Sequence, residues 1–504
     1  MVRASKTFGQ RFLLILRIAL LYSGSLPGCS VRAEGDFGPG VDVGMVEVAG
    51  SKQVLPDKAA YRITGSGHNI WAKDDAFHFV ARKVSGDVLM RMDVEWVGEG
   101  KANHRKACAM ARQSLEADAP YADVAVHGDG LIALQYRKMK GGITFGVNSP
   151  IRAPATVQLD RDGNVFTVSV APKGRPMQPV GAVTVELSDP VYAGLAVCSH
   201  TAAVAETAIF TSVVLKNRVP KEGEARIHEA SLEIVTVATG ERRIIHRARE
   251  PFQAPNWSPD GKTLYINQRS RIYTLPAEGG EPKLLDTGTA VGCNNDHGLS
   301  PDGRWLAISS GHEGRVSKIY IVPAAGGAAR QVTPEGPSYW HGWSPDGKTL
   351  VYCGKRGDNF DVYAIPAAGG EEKRLTDVEG LDDGPEYTPD GKYIYFNSER
   401  TGLMKIWRMH ADGSHQEQVT TDAEYADWFP HPSPDGKQLL FMSFDKSVKG
   451  HPPNKDVVLR IMPVAGGKPK VLATLFGGQG TINVPSWSPD SKAVAFVSYR
   501  MVLP

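Results

Sequence analysis

Three histidines in the C-terminal half of the chain have the residue type and the spacing of a metal site. His297, His341 and His431 each stand two or three residues before a turn of the pattern Ser-Pro-Asp-Gly. Imidazole is the commonest metal ligand, and a catalytic centre needs three protein ligands and an open fourth position. If the turns are equivalent in the fold, the histidines converge. We predict a divalent metal there or, as the alternative, a channel of polar groups bridged by water.

Acidic and amide side chains stand close to the same turns. Glu386 and Asp383 are candidates for a further metal ligand or a catalytic base, and His431 is a candidate for either role. The remaining candidates would contact a ligand by hydrogen bonding or by stacking: Asp296, Trp340, Asp427, Trp428 and Asn483. For the two tryptophans, the alternative is packing between neighbouring repeats.

The turns that carry these residues belong to a repeat. Its copies begin 42, 44, 44, 45 and 55 residues apart, and they occupy residues 258–261, 300–303, 344–347, 388–391, 433–436 and, with serine replacing glycine, 488–491. A period of about 40–45 residues is typical of a four-stranded propeller blade. In the third copy, the β-branched and aromatic segments 349–353 and 361–365 are separated by a polar turn, as two strands of a blade would be. We therefore predict an all-β, six-bladed propeller.

The two ends of this region complete one blade between them. Residues 493–499 supply one strand after the last turn. Residues 232–237 and 243–245, which precede the first turn, have the composition of two further strands. A ring closed by strands from both ends leaves no open sheet edge, and this is how propellers avoid edge-to-edge association.

The repeats resemble those of the TolB-like β-propeller family, whose blades carry the signature Trp-Ser-Pro-Asp-Gly-Lys. Trp257 and Trp343, with the turns that follow them, match this signature, and the resemblance covers about residues 228–504. It implies the fold and says little about function. Metal centres of similar arrangement occur in some propeller-fold polysaccharide lyases that act on uronate sugars, but the sequence has no motif diagnostic of those enzymes.

Residues 34–215 have a different sequence pattern, in which short segments of alternating apolar and polar residues are separated by glycine-rich turns. The segments lie at residues 78–81, 88–94, 122–126 and 131–136. This spacing without helical periods predicts a β-sandwich or jelly roll. The region resembles the concanavalin-A-like jelly rolls of the regulation-of-enolase type at residues 63–67, 75–79, 110–115 and 194–200. The resemblance implies a sandwich of the kind that often recognises glycans on a concave sheet or edge loops. Residues 216–227 are the predicted linker to the propeller region, 228–504.

Residues 1–33 have the pattern of an export signal. A positively charged start precedes an apolar stretch at residues 12–21, and residues 31–33 suit a signal peptidase. Arg17 interrupts the stretch, which is too short for a spanning helix of the usual length. Cys29 offers the alternative of a lipoprotein signal. We predict a periplasmic or secreted protein whose contact with a membrane, if any, is a lipid anchor.

Composition excludes several other classes of function. The 504 residues carry a net charge of +2 and no long basic run, so no nucleic-acid partner is predicted. The cysteines after Cys29 are widely spaced and form no Cys-x-x-Cys pair, which argues against a zinc-cysteine site and a disulfide framework. The motifs of a nucleophile elbow, a phosphate-binding glycine loop and a His-Glu-x-x-His helix are missing from the sequence.

Three classes of function remain open from the sequence. The leading one is an exported bacterial binding or interaction protein, with a carbohydrate or an envelope protein as its partner. The alternative is a metal-dependent enzyme that degrades polysaccharide, as a lyase or a hydrolase, with its site at the mouth of the propeller channel. The third is a scaffold in an envelope complex. The residues alone do not decide between binding and catalysis.

Overall fold

A computed structural model describes residues 37–56, 59–100, 102–311 and 316–504. The predicted export signal and Cys29 lie outside these residues. The described chain is built from β-strands, together with one short 3-10 turn at Gln479–Thr481. In this part of the chain, no helix has the length and the apolar character needed to cross a membrane.

The first fifteen strands of the described chain form two sheets. In chain order they are β1 (Val41–Val43), β2 (Ser51–Leu55), β3 (Ala60–Gly67), β4 (Asn69–Trp71), β5 (Asp74–Val84), β6 (Asp87–Trp96), β7 (Lys106–Arg112), β8 (Tyr121–His127), β9 (Ile132–Arg137), β10 (Phe145–Asn148), β11 (Ala155–Asp162), β12 (Val165–Pro172), β13 (Gln178–Thr184), β14 (Val191–Cys198) and β15 (Thr201–Arg218).

The two sheets are antiparallel and face each other. The first has the order β1-β5-β14-β7-β8-β9-β10, with β4 paired to β5, and the second has the order β13-β12-β11-β6-β15-β3-β2. Small and branched side chains of alternate residues fill the space between them, among them Ala109, Leu134 and Phe166. The all-β prediction is confirmed here, whereas the finer prediction of a concanavalin-A-like jelly roll stays a prediction.

The remaining strands build the propeller. They are β16 (Ile227–Thr236), β17 (Arg242–Ala248), β18 (Phe252–Trp257), β19 (Thr263–Gln268), β20 (Arg271–Pro276), β21 (Lys283–Leu284), β22 (Cys293–Leu299), β23 (Trp305–Ser310), β24 (Lys318–Pro323), β25 (Arg330–Gln331), β26 (Ser338–Trp343), β27 (Thr349–Arg356), β28 (Asn359–Pro366), β29 (Lys373–Arg374), β30 (Asp382–Tyr387), β31 (Tyr393–Ser398), β32 (Lys405–His410), β33 (Glu417–Gln418), β34 (Tyr425–Pro432), β35 (Gln438–Asp445), β36 (Lys455–Pro463), β37 (Lys470–Gly477) and β38 (Ala493–Val502).

These strands form six blades. Five blades are four-stranded sheets of consecutive strands, from β18–β21 to β34–β37. In the sixth, β38 pairs with β16 over ten residues, β16 pairs with β17, and a single bridge from Trp487 to Val494 adds the innermost segment. Strands from both ends of the region therefore share one blade. The prediction of a six-bladed propeller is confirmed.

The repeated turn is held by its own side chains. In the third blade, Ser344 Oγ donates to Asp346 Oδ1 at 2.6 Å and accepts from the backbone N–H of Thr349 at 2.9 Å. The same carboxylate oxygen accepts from the N–H of Lys348 at 3.1 Å. Gly347 has a φ of 70°, where residues with a Cβ are strained. Because these bonds are local, the turn forms wherever the four-residue pattern occurs.

Tryptophan side chains before three of the turns join neighbouring blades. The indole N–H of Trp343 donates to the carbonyl of Gly298 in the preceding blade at 3.0 Å. Trp487 donates in the same way to His431 at 2.9 Å, and Trp257 donates to Ser486 at 3.1 Å. The bond from Trp257 connects the first blade to the last, so the signature that identifies the repeat also helps to close the ring.

The sandwich contacts strands of the last two blades of the propeller, among them β38, where Arg500 pairs with Asp162 at 2.6 Å. Asp456 of β36 accepts from the N–H of Thr184 at 2.9 Å and from Lys138 Nζ at 2.8 Å. Arg242 of β17 is buried, pairs with Glu233, and donates to the carbonyl of Val180 at 3.3 Å. Val165 and Ala182 of the sandwich also belong to an apolar cluster that includes Phe252 of β18.

We expect Gly436→Ala to destabilise the protein by about 1 kcal/mol, because an L-residue with a Cβ is disfavoured at positive φ. Gly436 has a φ of 71°, and an added Cβ would meet no atom within 4 Å, so crowding does not contribute. Thermal unfolding followed by tryptophan fluorescence measures the effect. Gly436→Asn is the matched control and should lose less stability, since Asn tolerates this conformation. Equal stability of the wild-type and Ala proteins would contradict the prediction.

Candidate functional site

The predicted site residues lie on the innermost strands, which surround the central channel. These are β18, β22, β26, β30, β34 and the segment 482–488. Each of the five strands has a shift in its pairing with the next strand, such as the shift between Asp383 and Glu386. A bulge of this kind redirects the side chains that follow it. The candidates consequently occupy different levels of the channel.

Four of the predicted residues meet in one group, which we call the channel network: Asp296, His341, Asp383 and Asn483. His341 Nε2 lies 3.0 Å from Asp383 Oδ1, and Asn483 Nδ2 donates to Asp296 Oδ1 at 2.9 Å. The second oxygen of Asp296 accepts from Asn294 at 2.7 Å. Since these residues come from the second, third, fourth and sixth blades, the network links blades that are not neighbours in sequence.

Burial and charge separate the pKa values of the two carboxyl groups in the network. Burial raises the pKa of Asp296 to about 6, although His341 opposes the rise. Burial would also raise the pKa of Asp383, but the charge and hydrogen bond of His341 lower it to about 2. Burial acts against protonation of His341, yet the Asp383 carboxylate leaves its pKa above the ordinary value. The raised pKa of His341 and the lowered pKa of Asp383 both favour an imidazolium–carboxylate pair beside Asp296.

A second pair lies closer to the repeated turns. His431 Nδ1 is 2.6 Å from Glu386 Oε2, and His431 Nε2 also contacts the carbonyl of Ile482. Burial raises the pKa of Glu386, and His431 opposes this rise. Because both nitrogens of His431 have partners, this ring cannot bind a metal without breaking a contact.

The other predicted residues do not join these groups. His297 is buried, its ring nitrogens have no hydrogen-bond partner among the described residues, and burial lowers its pKa to about 4. Trp340 and Trp428 are buried in the packing between blades. Asp427 lies inside the fifth blade, where it pairs with Arg460 at 2.6 Å. Their roles in metal or ligand binding stay predictions.

The loop after β35 lies against the inner strand of the fifth blade. The ring of His451 packs edge-on against Trp428, with centroids 4.5 Å apart, and against Phe429 at 5.6 Å. His451 also lies near enough to Asp383 to lower the pKa of that carboxyl group. Asp383 and His341 have side chains only 11% and 5% exposed. Access to the channel network is therefore restricted.

The channel has an open mouth on the face formed by the repeated turns. A cavity of about 300 Å³ opens there. Glu386 is the one charged residue that lines it within the described chain, and Trp257 and Trp487 contribute indole rings. Six prolines form most of the remaining wall: Pro259, Pro301, Pro432, Pro434, Pro485 and Pro489. We call this cavity the proline mouth.

Sequence reasoning missed the proline mouth, although its signal is visible in the repeat. Four of these prolines are the second residues of their turns, where the sequence indicates a turn former alone: Pro259, Pro301, Pro434 and Pro489. Once the turns are arranged in a ring, these four of the six positions face one opening. The ring of prolines thus follows from the repeat and the closure together.

In the part of the chain that the structure describes, no group of three His, Cys, Asp or Glu side chains is placed to hold a metal ion. The predicted divalent metal in the channel stays a prediction. The arrangement itself offers an acid and a base of different pKa on either side of His341, which is a pattern that acid–base catalysis uses. It also offers hydrogen bonds and an ion pair that stabilise the ring.

Fold and site define a class: a six-bladed β-propeller with a polar, largely buried network in its channel and a proline-lined mouth on one face. The family model of the TolB β-propeller domain matches residues 225–352 and 339–456. An uncharacterized protein of Agrobacterium fabrum (strain C58) is 51% identical over 271 residues, which are 54% of this chain and 92% of that protein. The chain belongs to the TolB β-propeller family.

A solved structure agrees with this assignment. The structure of a putative TolB from Agrobacterium tumefaciens is 50% identical with a TM-score of 0.53, and the match covers 56% of this chain and 100% of that one. A manganese complex of an oligogalacturonate lyase is 16% identical with a TM-score of 0.35, covering 55% of this chain and 91% of that one. This second likeness is too distant to bear on activity.

We expect Asp296→Asn to be more stable than the wild-type protein at neutral pH. Because the folded-state pKa is raised from 3.8 to about 6, wild-type stability falls as the pH rises from about 4 to 6. The side-chain amide of the variant can still accept a hydrogen bond from Asn483 but does not ionise. The variant therefore avoids the fall in the free energy of unfolding, which is on the order of 2–3 kcal/mol in the wild-type protein. When unfolding midpoints of the wild-type protein and the Asp296→Asn variant are measured from pH 4 to 8, the difference between them should grow up to about pH 6 and then stay constant.

Asp383→Asn is the matched control, with the opposite sign. Its folded-state pKa of about 2 lies below 3.8, so the ionised carboxylate stabilises the fold above pH 4 and this contribution is lost as the pH falls through 2. The variant should be less stable than the wild-type protein at pH 7. If both variants shift the midpoint in the same direction at pH 7, the assigned charges are wrong.

Proposed function

We propose that this protein is an exported binding protein of the bacterial envelope or exterior, and that it holds a segment of a partner protein in the proline mouth. One observation carries the proposal: a preformed cavity on the turn face of the channel is lined by six prolines and two indole rings around a single carboxylate, with Asn256 and Ser300 as its further polar side chains. The predicted export signal supports the location.

The chemistry of the wall favours a peptide over a sugar. Proline has no backbone N–H, so a wall of prolines offers few donors to the hydroxyl groups of a carbohydrate. Prolines and indole rings lose little conformational entropy on binding, which suits contact with apolar parts of a peptide. At about 300 Å³, the cavity is at the small end of ligand pockets and has room for a side chain or a chain end.

Glu386 sets the charge of the expected partner. One of its oxygens contacts His431, and its side chain is 14% exposed at the mouth. A carboxylate has lone pairs for further donors, and an ammonium or guanidinium group can supply them. We therefore expect the partner to insert a lysine, an arginine or its amino terminus.

A peptide library displayed with free or acetylated amino termini tests the proposal, with binding followed by quenching of tryptophan fluorescence. Cationic peptides should bind the wild-type protein, and Glu386→Gln should weaken binding because the paired charge is removed. Glu278→Gln changes an exposed carboxylate outside the mouth and should bind as the wild-type protein does. Binding that ignores Glu386, or no binding by any cationic peptide, would refute the proposal.

Carbohydrate recognition by the sandwich is a second candidate, favoured by exposed aromatic rings at one edge. Trp71 and Phe145 are 37% and 46% exposed, and Phe145 stacks on Tyr136 with centroids 5.7 Å apart. Flat aromatic faces at the end of a sheet are suited to stacking against the apolar faces of sugar rings. The predicted glycan partner would bind here if it binds the sandwich.

Trp71→Ala should abolish any glycan binding that the full-length protein shows on a broad glycan array, because the stacking surface is lost. The matched control is Trp305→Ala, which removes a tryptophan of similar exposure, 45%, from the propeller. An array on which the wild-type protein binds no glycan, or on which both variants behave alike, would count against this second candidate.

A further inference from the structure

The second and third turns of the repeat enclose a groove on the same face of the propeller as the proline mouth. The groove has a volume of about 440 Å³, and the indole ring of Trp305 lies in its wall. Ser300 and Pro301 line both this groove and the proline mouth. The two cavities therefore adjoin, and one short chain segment can reach from one into the other. We call this second cavity the tryptophan groove.

The tryptophan in this groove is exposed and is not needed by the turn beside it. Trp305 is the first residue of β23 and is 45% exposed. The other blades have threonine, threonine, tyrosine, glutamine and alanine at this position of the repeat. In every blade the residue here donates its backbone N–H to the first side chain of the turn, as Trp305 does to Ser300 Oγ at 3.0 Å. Any residue with a backbone N–H meets this requirement, so the indole is free for another contact.

The fourth blade shows how the repeat covers an aromatic ring at this position. Tyr393 stands there, and the guanidinium carbon of Arg408 lies 5.0 Å from the centre of its ring. In the second blade, the residue at the register of Arg408 is Ile321, which carries no charge. Among the described residues, no cation or aromatic ring lies over Trp305. Its indole therefore lacks the kind of partner that Tyr393 has within the chain.

The charges of the tryptophan groove favour a cation. Within the described chain, Asp302 and Asp346 line it together with one cationic residue, Arg304. Arg304 Nε donates to Asp302 Oδ2 at 2.6 Å, so these two charges offset each other. Asp346 Oδ1 accepts from Ser344 and from the backbone of Lys348, whereas Oδ2 has only the exposed Nζ of Lys348 at 3.7 Å. The second oxygen of Asp346 is therefore available to a donor from outside the chain.

We propose that the tryptophan groove binds an arginine or lysine side chain of the same partner segment that enters the proline mouth. The cation lies over the indole of Trp305, and its head group donates to Asp346 Oδ2. Tryptophan is the aromatic side chain that attracts cations most strongly. The inference rests on the proposed function, because it assigns a second contact to that segment. It implies a partner with two cations close together in sequence, one for Glu386 and one for Trp305.

Binding of labelled peptides with acetylated amino termini to the full-length protein tests the inference, with fluorescence anisotropy as the readout. The peptides carry one arginine, two arginines at varied spacing, or one arginine and one citrulline, which has the shape of arginine without its charge. The best two-arginine peptide should bind the wild-type protein more tightly than the one-arginine peptide, by about twofold to thirtyfold. Citrulline in the second position should give no such gain.

Two substitutions at Trp305 and one matched control locate the gain. Trp305→Ala should lose the gain from the second arginine and still fold, because the side chain is exposed and the turn needs only its backbone. Trp305→Phe keeps an aromatic ring and should retain part of the gain. Tyr393→Ala changes the same position of the repeat in the fourth blade, outside the groove, and should keep the full gain.

The outcomes separate this inference from the proposed function. No gain from a second arginine at any spacing, an equal gain from citrulline, or a gain that survives in Trp305→Ala would overturn the inference, while dependence of one-arginine binding on Glu386 would still support the proline mouth. A gain that requires Trp305 in a protein whose one-arginine binding ignores Glu386 would support the groove and refute the mouth. Failure of every peptide to bind would refute both.

Discussion

Closure of the ring by strands from both ends is the constraint on which the rest of the propeller depends. β16 and β38 pair over ten residues, and the innermost segment of the same blade carries Asn483. Without this pairing, β16 and β38 of the sixth blade would each present an open edge, and Trp257 would lose its acceptor on Ser486. Because closure also places Asn483 opposite Asp296, the channel network depends on a contact between residues 187 positions apart in sequence. The polar core of the channel is thus a consequence of long-range topology.

Much of the fold could be predicted because its determinants are local. A serine, an aspartate and a glycine within four residues form each turn through hydrogen bonds of their own, so each turn is specified by its own sequence. The number of residues between two turns then sets how many strands a blade contains. To predict the order of strands in the sixth blade, one further inference was needed. The segments at the two ends of the propeller region each have too few strands for a blade, so they must share one. The two sheets of the sandwich followed from alternation, but alternation does not determine how their strands connect, and the jelly-roll topology stays a prediction.

The site was harder to predict because the inner strands are irregular. The alternation of residues along a strand predicts which side chains share a face. A bulge shifts that alternation by one residue, so the side chains after it lie on the other face. Ala254 and Phe429 have φ values of 59° and 53° at the residue before a proline, which is where the pairing shifts. In the sequence, His341 and His431 stand at almost the same distance from their turns. In the structure, His341 pairs with Asp383, whereas His431 pairs with Glu386 at a different depth of the channel. Charge pairing across blades decides these partners, and it depends on three-dimensional positions that the repeat does not encode.

The channel network and the proline mouth differ in what they offer to a ligand. A catalytic group has to reach a substrate, and His341 and Asp383 are almost fully buried beside a loop that packs on Trp428. Their hydrogen bonds are directed at each other, so a reacting molecule would have to replace an ion pair that stabilises the ring. At the turn face, Glu386 is only slightly more exposed, at 14%, but it lines a preformed cavity whose wall is made mostly of prolines and indole rings. A preformed wall around one carboxylate reduces the entropy that a binding site loses when a partner inserts.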